Sequence, residues 1–378
     1  MVYAFERETQ SGMNIQDFIK QICKETGVPY LDVVCYQNHQ RIYRQIVGRG
    51  ATGNEKLRMF SCGKPITVIA AARLISEGKL GLDDAVMQYL PEVQNAFILD
   101  ERGGRNIVGD KMTVRHLFTM TAGFTYDVAT EPVLQTVRDY GGAATLRDMI
   151  SAFVKTPLSF TPGEKFRYSL CHDVLAAVVE VVANCKFSDY VSRVIFAPLG
   201  MKNSNFCNQE EGLSDCYIAG EDGKIVLFNE GNHLVPCSTY ESGGAGLIGT
   251  VEDYALFADA LACDGIAANG YQLIDKKTLK EVRSEQIGSI AVNNNFTCVQ
   301  GDEYGYGLGV RVRKVDTPWG LKVGEYGWDG AAGTYLLVDP ERRISVTMGM
   351  HLMGWPTVFT GKHLEIVKRL YQEFFNVK

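Results

Sequence analysis

The chain has 378 residues, 46% of them hydrophobic and 22% charged, so it can bury a substantial core in one large or two medium domains, and bulk disorder is excluded. A formal charge of −6 without a long run of like charges leaves no footprint for a nucleic-acid partner, which needs a basic patch. The start, MVYAFERETQSGMN, has no basic segment followed by an apolar run, and the most apolar later stretch, 66–75, carries Arg73 and is too short to span a bilayer, so a soluble cytoplasmic protein is expected.

Residues 14–25 carry apolar side chains at 15, 18, 19 and 22, a helical spacing that Gly27 ends. LDVVCYQ and RIYRQIVG then flank Asn38-His39-Gln40 and read as a β-hairpin. Residues 62–77 form an apolar helix stopped at Gly78. From about 82 to 205 the pattern is helical, with no convincing strand pairs. Thr113 is the expected N-cap of TVRHLFTM, TLRDMISAFVK is a short amphipathic stretch, and SLCHDVLAAVVEVVANC is a third helix. Strands return at 225–228, 306–313, 321–326, 333–338 and 344–350, with helices at about 251–263 and 361–375. The order implies an α/β (α+β) fold: residues 1–81 and 215–378 form an antiparallel sheet flanked by helices, and 82–214 form an inserted, mainly helical domain.

The ten cysteines, at 23, 35, 62, 171, 185, 207, 216, 237, 263 and 298, form no C-x-x-C pair, so neither zinc nor thioredoxin-like spacing is present. Free buried thiols are expected.

The main chemical signal is Phe60-Ser61-Cys62-Gly63-Lys64. Residues three apart share one face of a helix. A serine hydroxyl needs a base to become a nucleophile, and lysine serves only when neutral, which desolvation or nearby positive potential achieves. The first turn of an apolar helix supplies both, and its free N–H groups suit an oxyanion. Ser-x-x-Lys alone arises about once by chance in such a chain, and it recurs at Ser76-Glu77-Gly78-Lys79, which reads as an exposed helix end.

Four ordered segments give the first copy its context: FSCGKPITVIAAARLISEGKLGLDDAVMQYLPE, MTVRHLFTMTAGF (112–124), FTPGEKFRYSLCHDVLAAVVE (160–180) and GEYGWDGAAGTYLLVDPE (324–341), with SGGAGLIGTVEDYALFA (242–258) as a fifth stretch. Together they resemble the serine β-lactamase-related family of class C β-lactamases, DD-peptidases and class VIII carboxylesterases, over roughly residues 14–375. The resemblance implies Ser61 as the acylated nucleophile, Lys64 as its lysine and Tyr168 as the phenol that relays protons. It also implies an oxyanion hole of the Ser61 and Ala331 backbone N–H groups.

Three departures bear on substrate. Leu170 stands where the motif has an asparagine. Trp328-Asp329-Gly330 replaces a basic residue followed by x-Gly, so Trp328 cannot grip a carboxylate and Asp329 would repel one. Tryptophan there resembles some class VIII esterases. Leu170, Trp328, Asp329 and Gly330 are therefore expected to meet the substrate, and Asp329 suits one carrying an amine or other cation. For Trp328, packing is the alternative.

Gly244-Ala245-Gly246-Leu247-Ile248-Gly249 fits G-x-G-x-x-G but follows a polar CSTYESG rather than an apolar strand, so a close-packed loop lining the cleft is expected instead of a dinucleotide site. His116 and His172 have no triad-like or metal-like partners and read as packing or hydrogen-bonding residues. The expected activity is two-step acyl transfer without metal or organic cofactor, carboxylester hydrolysis of a small acyl substrate leading. β-Lactam or D-amino-acid peptide hydrolysis is the alternative, and a binding protein that keeps the fold without turnover is the alternative of another class. Oligomeric state is open.

Overall fold

The computed structural model describes residues 13–206, 212–220, 222–228, 230–292, 303–354 and 362–375. Helix α1 (Ile15–Thr26) starts at Asn14, whose side chain accepts from the Asp17 N–H at 2.9 Å, and ends at Gly27 in the left-handed region. Strands β1 (Tyr30–Gln37) and β2 (Gln40–Gly48) follow as the expected hairpin. Asn38 and His39 both take positive φ, 49° and 69°, which a two-residue turn matching strand twist requires.

The C-terminal half supplies β3 (Tyr304–Tyr306), β4 (Arg311–Arg313), β5 (Tyr326–Asp329), β6 (Tyr335–Asp339) and β7 (Ile344–Gly349). The seven strands form one antiparallel sheet in the order β3-β4-β5-β6-β7-β1-β2. β1 thus zips onto β7, with Val34 opposite Thr347, and unites the chain's two ends in one sheet. Period-two alternation decides what each face meets. Leu31, Val33 and Cys35 pack with Ile19, Ile366 and Leu370 from α1 and α5 (Lys362–Phe374). Val34 and Tyr36 join the opposite cluster, with α2 (Gly63–Ser76) and α4 (Val251–Ala262). That cluster continues unbroken through Leu117, Phe166 and Val174, the last on α3 (Cys171–Ala183), which packs on α2. Nearly all of α2 is buried, as expected of a helix apolar all round.

The structure departs from the sequence reading in three places. Phe97–Leu99 pairs with Arg105–Ile107, so the 82–205 stretch does hold a strand pair, and its Lys165–Phe166 pairs outward with Ala291–Val292. Runs of two or three residues are too short to show alternation; the better cue was Asp100, whose side chain accepts from the Arg102 and Gly104 N–H groups in the turn. The single run expected at 306–313 is a hairpin. Gly309, at φ 79°, lies where a Cβ would come 2.3 Å from Val68 and 2.8 Å from His172, so the chain turns against α2 and α3. Residues 321–325 form a turn at Gly324 before β5 begins.

Eight described cysteines are free and all but Cys185 are buried; Cys207 and Cys298 lie outside the described residues. Among the described residues no helix is long and apolar enough to cross a membrane.

Candidate active site

Ser61 lies in a single 3-10 turn, Phe60–Cys62, that feeds directly into α2. Phe60 is buried at φ 45°, a conformation that a large side chain tolerates only when its surroundings enforce it. They do so from several sides. Met59 donates its N–H to the Leu247 carbonyl at 2.9 Å, and its own carbonyl accepts from Thr334 Oγ1 at 2.8 Å. The Cys62 carbonyl accepts from Tyr254 Oη of α4 at 2.7 Å. Phe60 itself packs with Cys216, Ala331 and Ala332.

One helical step on, Lys64 Nζ lies 3.1 Å from Ser61 Oγ and donates to the Gly244 carbonyl at 2.6 Å. Lys64 is fully buried. Burial pulls its pKa down to about 7, against a smaller upward push from the Asp173 carboxylate. Desolvation therefore makes a substantial fraction of neutral amine available next to a serine hydroxyl near neutral pH.

Tyr168 arrives from the 82–214 stretch, half-buried, with its ring centroid 4.7 Å from Lys64 Nζ. Its oxygen accepts the Trp328 Nε1–H at 3.0 Å, and its ring sits between Tyr126 and Trp328, at centroid distances of 5.5 and 5.4 Å. Ser61, Lys64 and Tyr168 thus come together from two distant stretches, with Trp328 of β5 as a third contributor.

The residues expected to meet substrate fare differently. Trp328 is 1% exposed and Leu170 3%, so neither offers its side chain to an open cleft. Trp328 instead backs Tyr168, with Tyr306 edge-on to it at 5.3 Å. Leu170 is the residue before α3 and packs in the core. Asp329 is not a lone acid facing a substrate: its Oδ2 pairs with Arg311 Nη1 at 2.8 Å, and its other neighbours leave it nearly buried. Burial, partly offset by Arg311, raises its pKa to about 6. A charge so paired cannot recruit a cation, and Arg311 is likewise not free to grip an anion. Gly330 is where backbone must approach backbone: a Cβ there would lie 2.4 Å from the Met59 carbonyl and 1.9 Å from Thr334 Oγ1. It lets the turn carrying half-buried Ala331 press against the Ser61 segment.

Other residues at the site had little or no sequence signal. Asp173, buried on α3, accepts from Ser242 Oγ at 2.5 Å and Tyr240 Oη at 2.8 Å and acts electrostatically on Lys64. An acidic residue on the buried first turn of a mostly apolar helix was its available cue. Gly243 and Gly244 bring a carbonyl to Lys64 because a Cβ on Gly243 would meet the His172 carbonyl at 2.6 Å, and one on Gly244 would meet the Asp173 carboxylate at 2.5 Å. The 242–249 loop is thus the close-packed backbone expected. Nothing local in the sequence marked Tyr126. His116 Nδ1 accepts the Thr113 N–H at 3.2 Å, and buried His172, held neutral by a pKa near 3, contacts the Phe118 carbonyl at 3.2 Å.

A sheet with helices on both faces and a serine–lysine contact at the start of a buried helix are the features of a β-lactamase-like serine hydrolase fold. A profile of the β-lactamase family matches residues 15–368. Esterase EstB of Burkholderia gladioli is 29% identical over 347 residues, 83% of this chain and 82% of that protein. Protein Rv1367c of Mycobacterium tuberculosis is 26% identical over 301 residues, 75% of this chain and 74% of its own length. The solved structure of EstCE1, described as a hydrolase with promiscuous acyltransferase activity, superposes with a TM-score of 0.76 at 24% identity, covering 94% of this chain and 97% of that one. The chain belongs to the β-lactamase family and is a serine hydrolase.

Proposed function

We propose that the protein hydrolyses carboxylic esters with uncharged acyl groups through an acyl-enzyme on Ser61. The observation that carries this is the 3.1 Å approach of a desolvated lysine amine to the Ser61 hydroxyl. Lys64 takes the serine proton as Oγ attacks the carbonyl. The Ser61 and Ala331 N–H groups hold the oxyanion, and Tyr168 passes a proton to the leaving alkoxide. Water then releases the acid by the reverse path. The reacting groups lie between the 82–214 stretch, which brings Tyr168, and the sheet, which brings Trp328 and Ala331.

Ester over β-lactam is favoured because β5 carries Trp328 rather than a cation for a substrate carboxylate, and Arg311 of the neighbouring β4 is neutralised by Asp329. The name of EstB agrees with this reading. Rates on a short p-nitrophenyl ester and on a chromogenic cephalosporin test it; faster turnover of the cephalosporin would overturn it. Among esters matched in size, the neutral one is expected to react fastest, and preference for the cationic one would restore Asp329 as a recognition group.

A second test addresses Tyr168. Its oxygen accepts the indole N–H, a bond that would stabilise the phenolate left after proton transfer. Trp328→Phe keeps the ring packing and removes the donor. A hydrogen bond to a developing anion contributes about 1.5 kcal/mol, so kcat is expected to fall about tenfold with KM for a small neutral ester nearly unchanged. A fall in affinity alone would assign Trp328 to substrate contact instead.

A further inference from the structure

Away from the serine, three potential metal-ligating side chains converge from the β1–β2 turn and the end of α4. His39 Nδ1 lies 2.7 Å from Asp259 Oδ2, Cys263 Sγ lies 3.9 Å from Asp259 Oδ1, and one ligand atom from each of the three lies within 4.8 Å of the others. Asp259 and Cys263 are four apart, hence on one face of the helix end, and are separated from His39 by more than two hundred positions, so no sequence spacing announced them.

We propose that His39, Asp259 and Cys263, with a water as fourth ligand, hold a divalent transition-metal ion of the zinc class. The donor set is one imidazole nitrogen, one carboxylate oxygen and one sulfur, which suits zinc or cobalt and not magnesium or calcium, whose ligands are oxygens. The spacing can relax to tetrahedral coordination, where neighbouring ligand atoms stand about 3.3 to 3.8 Å apart given metal–ligand bonds of about 2.0 to 2.3 Å. The nitrogen and oxygen, 2.7 Å apart, need to part by about half an ångström, and the sulfur, within 4.8 Å of the other ligand atoms, needs to close by up to about an ångström. Burial differs across the set in a useful way: Asp259 and Cys263 are buried, while His39 is partly exposed and offers an entry path.

Charge around the cluster is compatible with a cation. The C-terminal carbonyls of α4 put partial negative charge there. The nearby cations are otherwise engaged: Lys276 pairs with Asp264 at 2.9 Å, and Arg343 donates to the Asn38 side chain at 3.1 Å and approaches Asp264 at 4.0 Å. His39 also occupies, at φ 69°, a turn position where glycine fits without strain. A bound ion would fasten this turn to α4, the helix whose Tyr254 holds the Cys62 carbonyl beside Ser61.

Cobalt(II) is the probe. The full chain, stripped with a chelator and dialysed, is expected to bind one equivalent of Co2+ with a thiolate-to-metal charge-transfer band and visible bands of four-coordinate intensity, all displaced by Zn2+. Cys263→Ser should abolish the charge-transfer band, Cys185→Ser should leave it intact, and His39→Gln and Asp259→Asn should each weaken binding at least tenfold. Ester turnover of each variant reports that it is folded. Zinc at about a hundredfold excess over its Kd should raise the wild-type Tm by several degrees and leave that of Cys263→Ser unchanged. Absence of the band in the wild type, or its survival in Cys263→Ser, would show that His39 and Asp259 form a hydrogen-bonded pair and nothing more.

Discussion

Lys64→Met is expected to lower kcat/KM on a neutral p-nitrophenyl ester by about 10³-fold, to the residual level of Ser61→Ala, with the double variant no slower than either single one. Methionine fills the buried space without a titratable group, so the loss reports chemistry rather than packing. Non-additivity is the diagnostic part: two residues that act as one proton-transferring unit can be broken only once. A fluorophosphonate probe should label the wild type and fail on Ser61→Ala. Retained labelling in Ser61→Ala, or a Lys64→Met variant within tenfold of wild type, would move the reaction to another serine or another base.

The pH profile follows from the same burial. Only the neutral amine accepts a proton, so activity should climb as pH rises through about 7, the value to which burial lowers Lys64. An ordinary lysine, at 10.5, would have only about three molecules in ten thousand neutral at pH 7. Asp173 pushes the other way, since its negative charge favours the protonated amine. Asp173→Asn keeps an acceptor for Ser242 and Tyr240 and removes that charge, so the acidic limb should move to lower pH. A shift to higher pH would mean that Asp173 supports the reactive state rather than opposing it.

What could be read from sequence divides along the range of the interactions. The β1–β2 hairpin was legible because alternation and a two-residue turn are local, and Ser61 and Lys64 because a helix repeats every three to four residues. Tyr168 was legible only through ordered family-like segments, as nothing in its neighbourhood encodes what it approaches. The partners that change meaning were invisible for the same reason. Asp329 read as a lone acid because Arg311, two strands' worth of chain earlier, bears no local mark of facing it across β4 and β5. Trp328 read as a substrate contact or a packing residue, and nothing local announced that its indole N–H is directed at Tyr168. The error at 306–313 was of another kind: Gly307 and Gly309 are permissive in a strand pattern, and only the packing of α2 and α3 requires a turn there.

Gly330→Ala carries the largest expected stability effect, because the added methyl has nowhere to go. It would lie 1.9 Å from Thr334 Oγ1 and 2.4 Å from the Met59 carbonyl. The threonine can rotate, though only by giving up its 2.8 Å hydrogen bond to that same carbonyl. The carbonyl is backbone, two residues before Ser61, and cannot yield without moving the strained Phe60. Overpacking of this kind costs about 1 to 3 kcal/mol and the lost hydrogen bond about 1 more, so destabilisation of about 3 kcal/mol is expected. For a chain of this size that corresponds to a Tm lower by roughly 4 °C. Turnover should fall as well, since the Gly330 turn and the Ser61 turn would part where the proposed oxyanion hole of Ala331 and Ser61 lies. Gly330→Ala with Thr334→Ala separates the two contacts: it relieves the hydroxyl and leaves the carbonyl, so it should recover only part of the Tm and little of the activity. Full recovery of both would show that the side chain, not the backbone of Met59, sets the requirement for glycine.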